Sequence, residues 1–237
     1  IIQEELIPAW EEATQRLASL KGTCKEDHLA YTSFEGGKEY YEALLKLKSS
    51  SNYALDEMWE YLLDYLELAG NQYYETVQGE EGQAMIHEYL NYACPIMEPI
   101  AALNLHEMNM YKYVPYGSDV TYSASYMDES IANDNVLAYY VEPCIDNVKD
   151  HVIKVNPHNA SEEELASLYT TMAHEGFPGH CYQYAYYYAT NPHPITTCYN
   201  MMGYGEGWAM HAELYSLNWL DYSYEGTNKV MGYQDIS

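Results

Sequence analysis

The sequence predicts a mainly α-helical, α+β protein with a small, mostly antiparallel sheet beside one central helix. Three observations predict it. Apolar residues recur at helical spacing in four segments before residue 93. Between residues 94 and 157, prolines and short runs rich in Tyr, Val and Ile replace that spacing. From residue 161 onward helical spacing returns. The chain therefore reads as a helical scaffold over residues 1–93, joined to a sheet with further helices over 94–237, the two forming one continuous domain.

The first helix is predicted over residues 8–20. Pro8 suits a first helical position, Trp10, Ala13, Leu17 and Leu20 share one face, and Gly22 ends the run. Gly36 and Gly37 mark a turn before a second helix over 38–47. A third, over 55–69, carries Leu55, Met58, Trp59, Leu62, Leu63 and Leu66 on one broad apolar face before Gly70. A fourth is predicted over 83–92. The Leu and Trp stripes of these helices read as core.

Pro95 and Pro99 then interrupt helix formation. Four β-like runs follow, over 110–114, 120–126, 137–141 and 151–155, the last stopped by Asn156 and Pro157. Ser161 with Glu164 fits a capping box that opens the next helix, whose apolar face holds Leu165, Leu168, Tyr169 and Met172. That helix delivers His174 and Glu175. A Tyr-rich helical turn follows His180, and a last helix is predicted over 206–220, with Glu206, Met210 and Glu213 on one face.

Composition narrows the function. A formal net charge of −26, with Arg16 as the only arginine, argues against nucleic acid and against an anionic membrane surface. Basic peptides and cations would be drawn to such a surface. No apolar run is long enough to span a bilayer. The five cysteines are scattered and form no CxxC pair, so neither a zinc ribbon nor a dense disulfide framework has support. The 29 tyrosines, against 2 phenylalanines, suit half-buried positions and polar-lined clefts.

Chemistry concentrates in residues 170–183, TTMAHEGFPGHCYQ. His174 and His180 stand six apart rather than four. On a straight helix they would lie roughly 9 Å apart along the axis and about 120° apart around it, too far to share an ion. Pro178 lies between them. Its ring would clash with the His174 carbonyl, and it has no N–H to offer that carbonyl. Gly179 can adopt backbone angles closed to other residues. A break is therefore expected where joint metal binding needs one.

A hydrolytic zinc site uses three protein ligands, an open position and a carboxylate base. The chain supplies His174 and His180 as nitrogen ligands, Glu206 as the oxygen ligand and Glu175 as the base, for one zinc ion. The zinc would polarise a scissile carbonyl and lower the pKa of its water to about 7. Glu213 is the rival to Glu206. His211 can be a ligand, a substrate contact or a solvated side chain. Cys181 can be a ligand or a small buried residue, and Tyr204 or Tyr199 could stabilise an oxyanion.

These residues carry a resemblance. HEGFPGHCYQ resembles the HExxPGHxxQ signature of the bacterial domain of unknown function 885 family, and YGEGWAMHAE resembles its YxEGWAxYxE signature. FEGGKEYYEALL and VEPCIDNVKDHVIKVNP are weaker likenesses. The family is similar to gluzincin-type zinc metallopeptidases, helical with a small sheet beside the site. The resemblance implies zinc at His174, His180 and Glu206, with Glu175 as general base in peptide hydrolysis. It also suggests that HVIKVN is an edge strand for an extended peptide. Apart from the resemblance, Tyr204, His211 and Asn156 are candidate substrate contacts. His211 stands where the family more often has Tyr.

Family members are longer at both ends, so this piece is expected to lack parts of the whole. Related proteins are often exported, which favours an extracytoplasmic place, secreted or lipoprotein-anchored. Two other readings stay open. One is a non-catalytic, Tyr-rich acidic module that binds peptide or glycan. The other is a zinc hydrolase of a non-peptide substrate.

Overall fold

A computed structural model describes residues 2–23, 30, 33–90, 98–117, 119–132, 136–158, 165–198 and 201–219. The chain forms two compact units, Ile1–Lys46 and Leu47–Ser237. In the first, a short π-helical stretch, Ile2–Leu6, runs into α1, Ile7–Ser19, with Pro8 in its opening turn. Gly22 and Gly36, both at positive φ, mark the turns that follow α1 and precede α2, Gly37–Ser49.

In the second unit, α3 spans Leu55–Gln78 and α4 spans Glu80–Leu90. The Glu57 carboxylate accepts the Ala54 N–H at 2.9 Å and closes the start of α3. Gly70 does not end this helix. One interior glycine costs about 1 kcal/mol against alanine, which the good helix formers on both sides offset. The stripes read as core are another correction, for Trp10, Leu17, Trp59, Leu62 and Leu66 are all exposed. Periodicity says that a helix has an apolar face and does not say what lies against it.

The described core begins at α5, Pro99–Met110, a helix where the sequence predicts an interruption. Pro99 occupies its first turn, the one position where a missing N–H costs nothing. The expected strand over 110–114 is therefore the end of α5 and a turn, with Tyr113 and Val114 both donating to the Met110 carbonyl. Pro95 lies outside the described residues.

Three strands follow: β1, Thr121–Tyr126; β2, Ala138–Val141; and β3, Asp150–Val155. Their order is β1-β3-β2, with β1 parallel and β2 antiparallel to β3. The sheet is thus mixed rather than mostly antiparallel, and HVIKVN is its centre rather than its edge. Residues 152–155 have ladder partners on both sides and offer no free edge to a peptide. Alternation along β3 buries His151, Ile153 and Val155.

Against that face packs α6, Leu165–Glu175; the expected cap at Ser161 and Glu164 lies outside the described residues. α7, His180–Ala189, and α8, Met202–Ser216, complete the framework. Leu103, Met110, Ile153, Val155, Leu168, Tyr169, Met172 and Phe177 form one fully buried cluster under the α6–α7 junction. Each large side chain buried there stabilises by about 1.5–3 kcal/mol. The mainly helical, α+β expectation holds. Among the described residues no helix is long and apolar enough to cross a membrane.

His106, on α5, is wholly buried in this core, edge-on to Tyr169 at 4.5 Å, and neither ring nitrogen makes a hydrogen bond of ordinary geometry among the described residues. Burial pushes its pKa from 6.5 down to about 3, and the nearby Met172 backbone pulls it back only in part. Unfolded, the ring takes a proton near 6.5; folded, it stays neutral until about 3. The unfolded chain binds more protons in that window. Stability from His106 is therefore full above pH 6.5 and falls as pH drops toward 3, by up to about 1.4 kcal/mol per pH unit. Urea unfolding between about pH 7 and 5 should show this decline, and His106→Phe should flatten it.

Candidate metal centre

The break between the histidines takes four residues. Gly176 N–H closes α6 on the Met172 carbonyl at 3.0 Å, and Gly179 N–H reaches back to the Ala173 carbonyl at 3.0 Å. The Phe177–Pro178 peptide is cis. α7 then starts at His180 itself, with Gln183 N–H donating to the Gly179 carbonyl. Gly179 is required for space rather than for a left-handed torsion. Its φ is −73°, and a Cβ there would lie 1.8 Å from the His174 carbonyl oxygen. Gly176 is equally confined, since its Cβ would meet Leu103 Cδ2 at 2.2 Å.

The turn returns His180 to His174, their ring centroids 5.0 Å apart and their planes nearly perpendicular. α8 begins four residues earlier than expected, at Met202, so Glu206 sits within the helix and projects to both rings. Glu206 Oε2 is 3.4 Å from His174 Nε2 and 3.7 Å from His180 Nε2. The three donor atoms all lie within 4.8 Å of one another. Ligands on a small tetrahedral ion with bonds of about 2.0–2.1 Å stand roughly 3.3–3.4 Å apart. The two Glu206 separations, 3.4 and 3.7 Å, lie close to that spacing, so the residues present suit such an ion.

Glu206 and Glu213 approach different atoms. Glu213, seven residues on and on the same helix face, accepts from His174 Nδ1 at 3.1 Å, while its other oxygen is 3.3 Å from Thr170 Oγ1. It holds the ring so that Nε2 faces Glu206, as an outer carboxylate does for a ligating histidine. Burial lowers the His174 pKa, but the Glu213 hydrogen bond and the charges of Glu175, Glu213 and Glu206 outweigh it, so the net shift is upward. His180 moves down, through burial and the neighbouring His174 charge.

Glu175 stands beside this set. Its Oε2 accepts the main-chain N–H of Tyr140, on β2, at 2.8 Å. Burial raises its carboxyl to about 7, against the opposing pull of His174 and of the Tyr140 N–H. A carboxyl balanced near neutral pH is suited to taking and returning a proton. On the far side, Trp208 Nε1 donates to the Pro178 carbonyl at 2.6 Å and ties α8 to the break.

The remaining expected residues do not converge. Tyr204 is 67% exposed on the first turn of α8. His211 lies about 140° around the helix from Glu206. It stacks on Tyr215 at 5.7 Å and lines a separate cavity of about 320 Å³ with Trp208, Tyr113 and Trp219. Asn156 is buried and holds the turn after β3, donating from Nδ2 to the Val136 carbonyl and accepting from His158 N–H. Cys181 is a buried core residue. Tyr199 lies outside the described residues. The Tyr140 N–H, the Glu213 support and the Trp208 tie were not foreseen. Only Glu213 had a signal, its i, i+7 spacing from Glu206.

The family described as "Bacterial protein of unknown function (DUF885)" matches residues 1–225. No curated protein matches the chain. Among solved structures it is similar to "The crystal structure of the putative lipoprotein from Colwellia psychrerythraea", with 15% identity and a TM-score of 0.73. The likeness covers 98% of this chain and 43% of that one. At such identity it shows the fold alone, and the chain spans less than half the length of that protein.

Proposed function

The chain belongs to the DUF885 family of bacterial proteins, whose function is unknown, and we propose that its site is that of a zinc-dependent hydrolase acting on peptide bonds. The observation that carries the reading is the convergence of donor atoms of His174, His180 and Glu206 to within 4.8 Å of one another, with Glu175 next to His174 in sequence. Two imidazoles and a carboxylate form a recurrent donor set for catalytic zinc, which such donors suit. The likeness of the two signatures to gluzincin-type metallopeptidases supports the peptide substrate. Zinc, when bound, supplies Lewis acidity that lowers the pKa of water to about 7 and polarises a carbonyl.

The chain's own groups do the rest. Glu213 and Thr170 orient His174. The Tyr140 N–H fixes Glu175 through Oε2, which leaves Oε1 to accept a proton from water and pass it to the leaving nitrogen. The lipoprotein description of the structural relative supports a place outside the cytoplasm.

Metal analysis of the purified protein tests the reading. About one zinc per chain is expected, removable by chelator, with loss of peptide hydrolysis and recovery on zinc return. His180→Ala should reduce bound zinc at least tenfold. Hydrolysis that survives complete metal removal would overturn the proposal.

A further inference from the structure

Beside the proposed centre lies a buried polar atom with no partner. Gln183 stands one turn after His180 on α7, and its Oε1 is shielded from solvent yet accepts no hydrogen bond among the described residues. Folded proteins seldom leave such an oxygen unpaired, so it calls for a physical reason. Spacing of i, i+3 puts the two side chains next to each other on one helix face. α8 closes over the amide: a Cβ on Gly205 would touch Gln183 Oε1 at 3.8 Å.

The two histidines differ in their outer support. His174 Nδ1 already rests on Glu213. His180 turns Nε2 toward Glu206, and Gln183 follows it at i, i+3 on the same face of α7.

Resting on the metal-site reading above, we propose that Gln183 is the positioning residue for His180, its Oε1 accepting the Nδ1–H when Nε2 is held by the metal. The site then backs one histidine with a carboxylate and the other with a neutral amide. An outer carboxylate raises ligand basicity, whereas an amide fixes tautomer and ring direction without added charge. With Glu175, Glu206 and Glu213 already close, a neutral partner keeps the ion more electrophilic.

The test measures zinc affinity by competition with a chromophoric chelator, and the visible spectrum of the cobalt(II)-substituted protein. Thermal unfolding of the metal-free protein serves as the folding control. Gln183→Leu, nearly equal in volume but without an acceptor, should weaken zinc binding about 10- to 100-fold and leave the metal-free transition unchanged or higher. Gln183→Glu should restore or exceed wild-type affinity and shift the cobalt bands. Wild-type zinc affinity and an unaltered cobalt spectrum in the leucine variant would overturn the proposal. Should leucine unfold the metal-free protein, the glutamate variant decides, and binding weaker than wild type overturns the assignment. A wild-type protein that binds neither zinc nor cobalt would fail the site reading itself, an outcome distinct from equal binding by wild type and variant.

Discussion

Glu175→Gln is expected to lower peptide hydrolysis by about 10²- to 10⁴-fold, the usual contribution of a positioned general base. Zinc per chain should stay at the wild-type level. The two halves of this expectation have separate causes. Glu175 is not among the three converging donors, so its replacement removes no ligand. Glutamine can still accept the Tyr140 N–H through its amide oxygen, so the side chain keeps its place. What is lost is the free carboxylate oxygen: an NH₂ group stands there and takes no proton. The loss amounts to about 3–5 kcal/mol of transition-state stabilisation. It should fall on kcat more than on KM, because ground-state contacts are unchanged. Steady-state kinetics on a zinc-loaded variant checks both halves. Retained activity would remove Glu175 from the base role, and loss of zinc along with activity would make it a structural support.

How much of this site was legible in the sequence depends on what each residue is asked to do. The break at Pro178 follows from one ring and one missing N–H, both local properties, so it could be stated without a structure. The helices carrying His174 and Glu206 follow from spacing. The roles of Glu206 and Glu213 could not be divided, because residues seven apart share a face and only the position of the histidine nitrogens separates them. α5 was missed because a proline that breaks a helix from inside also starts one, and the two cases look alike in sequence. Sheet order is a long-range property, and nothing within HVIKV says which strands flank it. The Tyr140 contact is made by a main-chain N–H, which every residue but proline has, so no side-chain pattern could announce it. Asn156 and His211 were singled out for their chemistry, but a turn and an aromatic cavity hold them away from the donors.

Gly179→Ala is expected to remove zinc binding and destabilise the fold by about 4 kcal/mol or more, beyond the range of ordinary point substitutions. The added methyl would lie 1.8 Å from the His174 carbonyl oxygen, 2.4 Å from that of Ala173 and 2.5 Å from the His174 carbonyl carbon. All three are main-chain atoms, so no side-chain rotation relieves the overlap. Either the end of α6 moves and carries His174 away, or α7 swings out with His180, and in both cases the donors separate. Gly207 provides the contrast from the same site. It follows Glu206 within α8, and a Cβ there would meet nothing within 4 Å. Gly207→Ala should therefore stabilise the protein by up to about 1 kcal/mol through helix propensity and leave zinc affinity unchanged. Urea unfolding of the metal-free variants, with zinc binding measured beside it, reads both. The same one-carbon addition thus has opposite signs 28 residues apart, because at Gly179 the chain turns back on itself to bring two histidines to one ion. If Gly179→Ala folds with wild-type stability and binds zinc, the turn must take another path and the convergence of His180 on His174 would no longer stand.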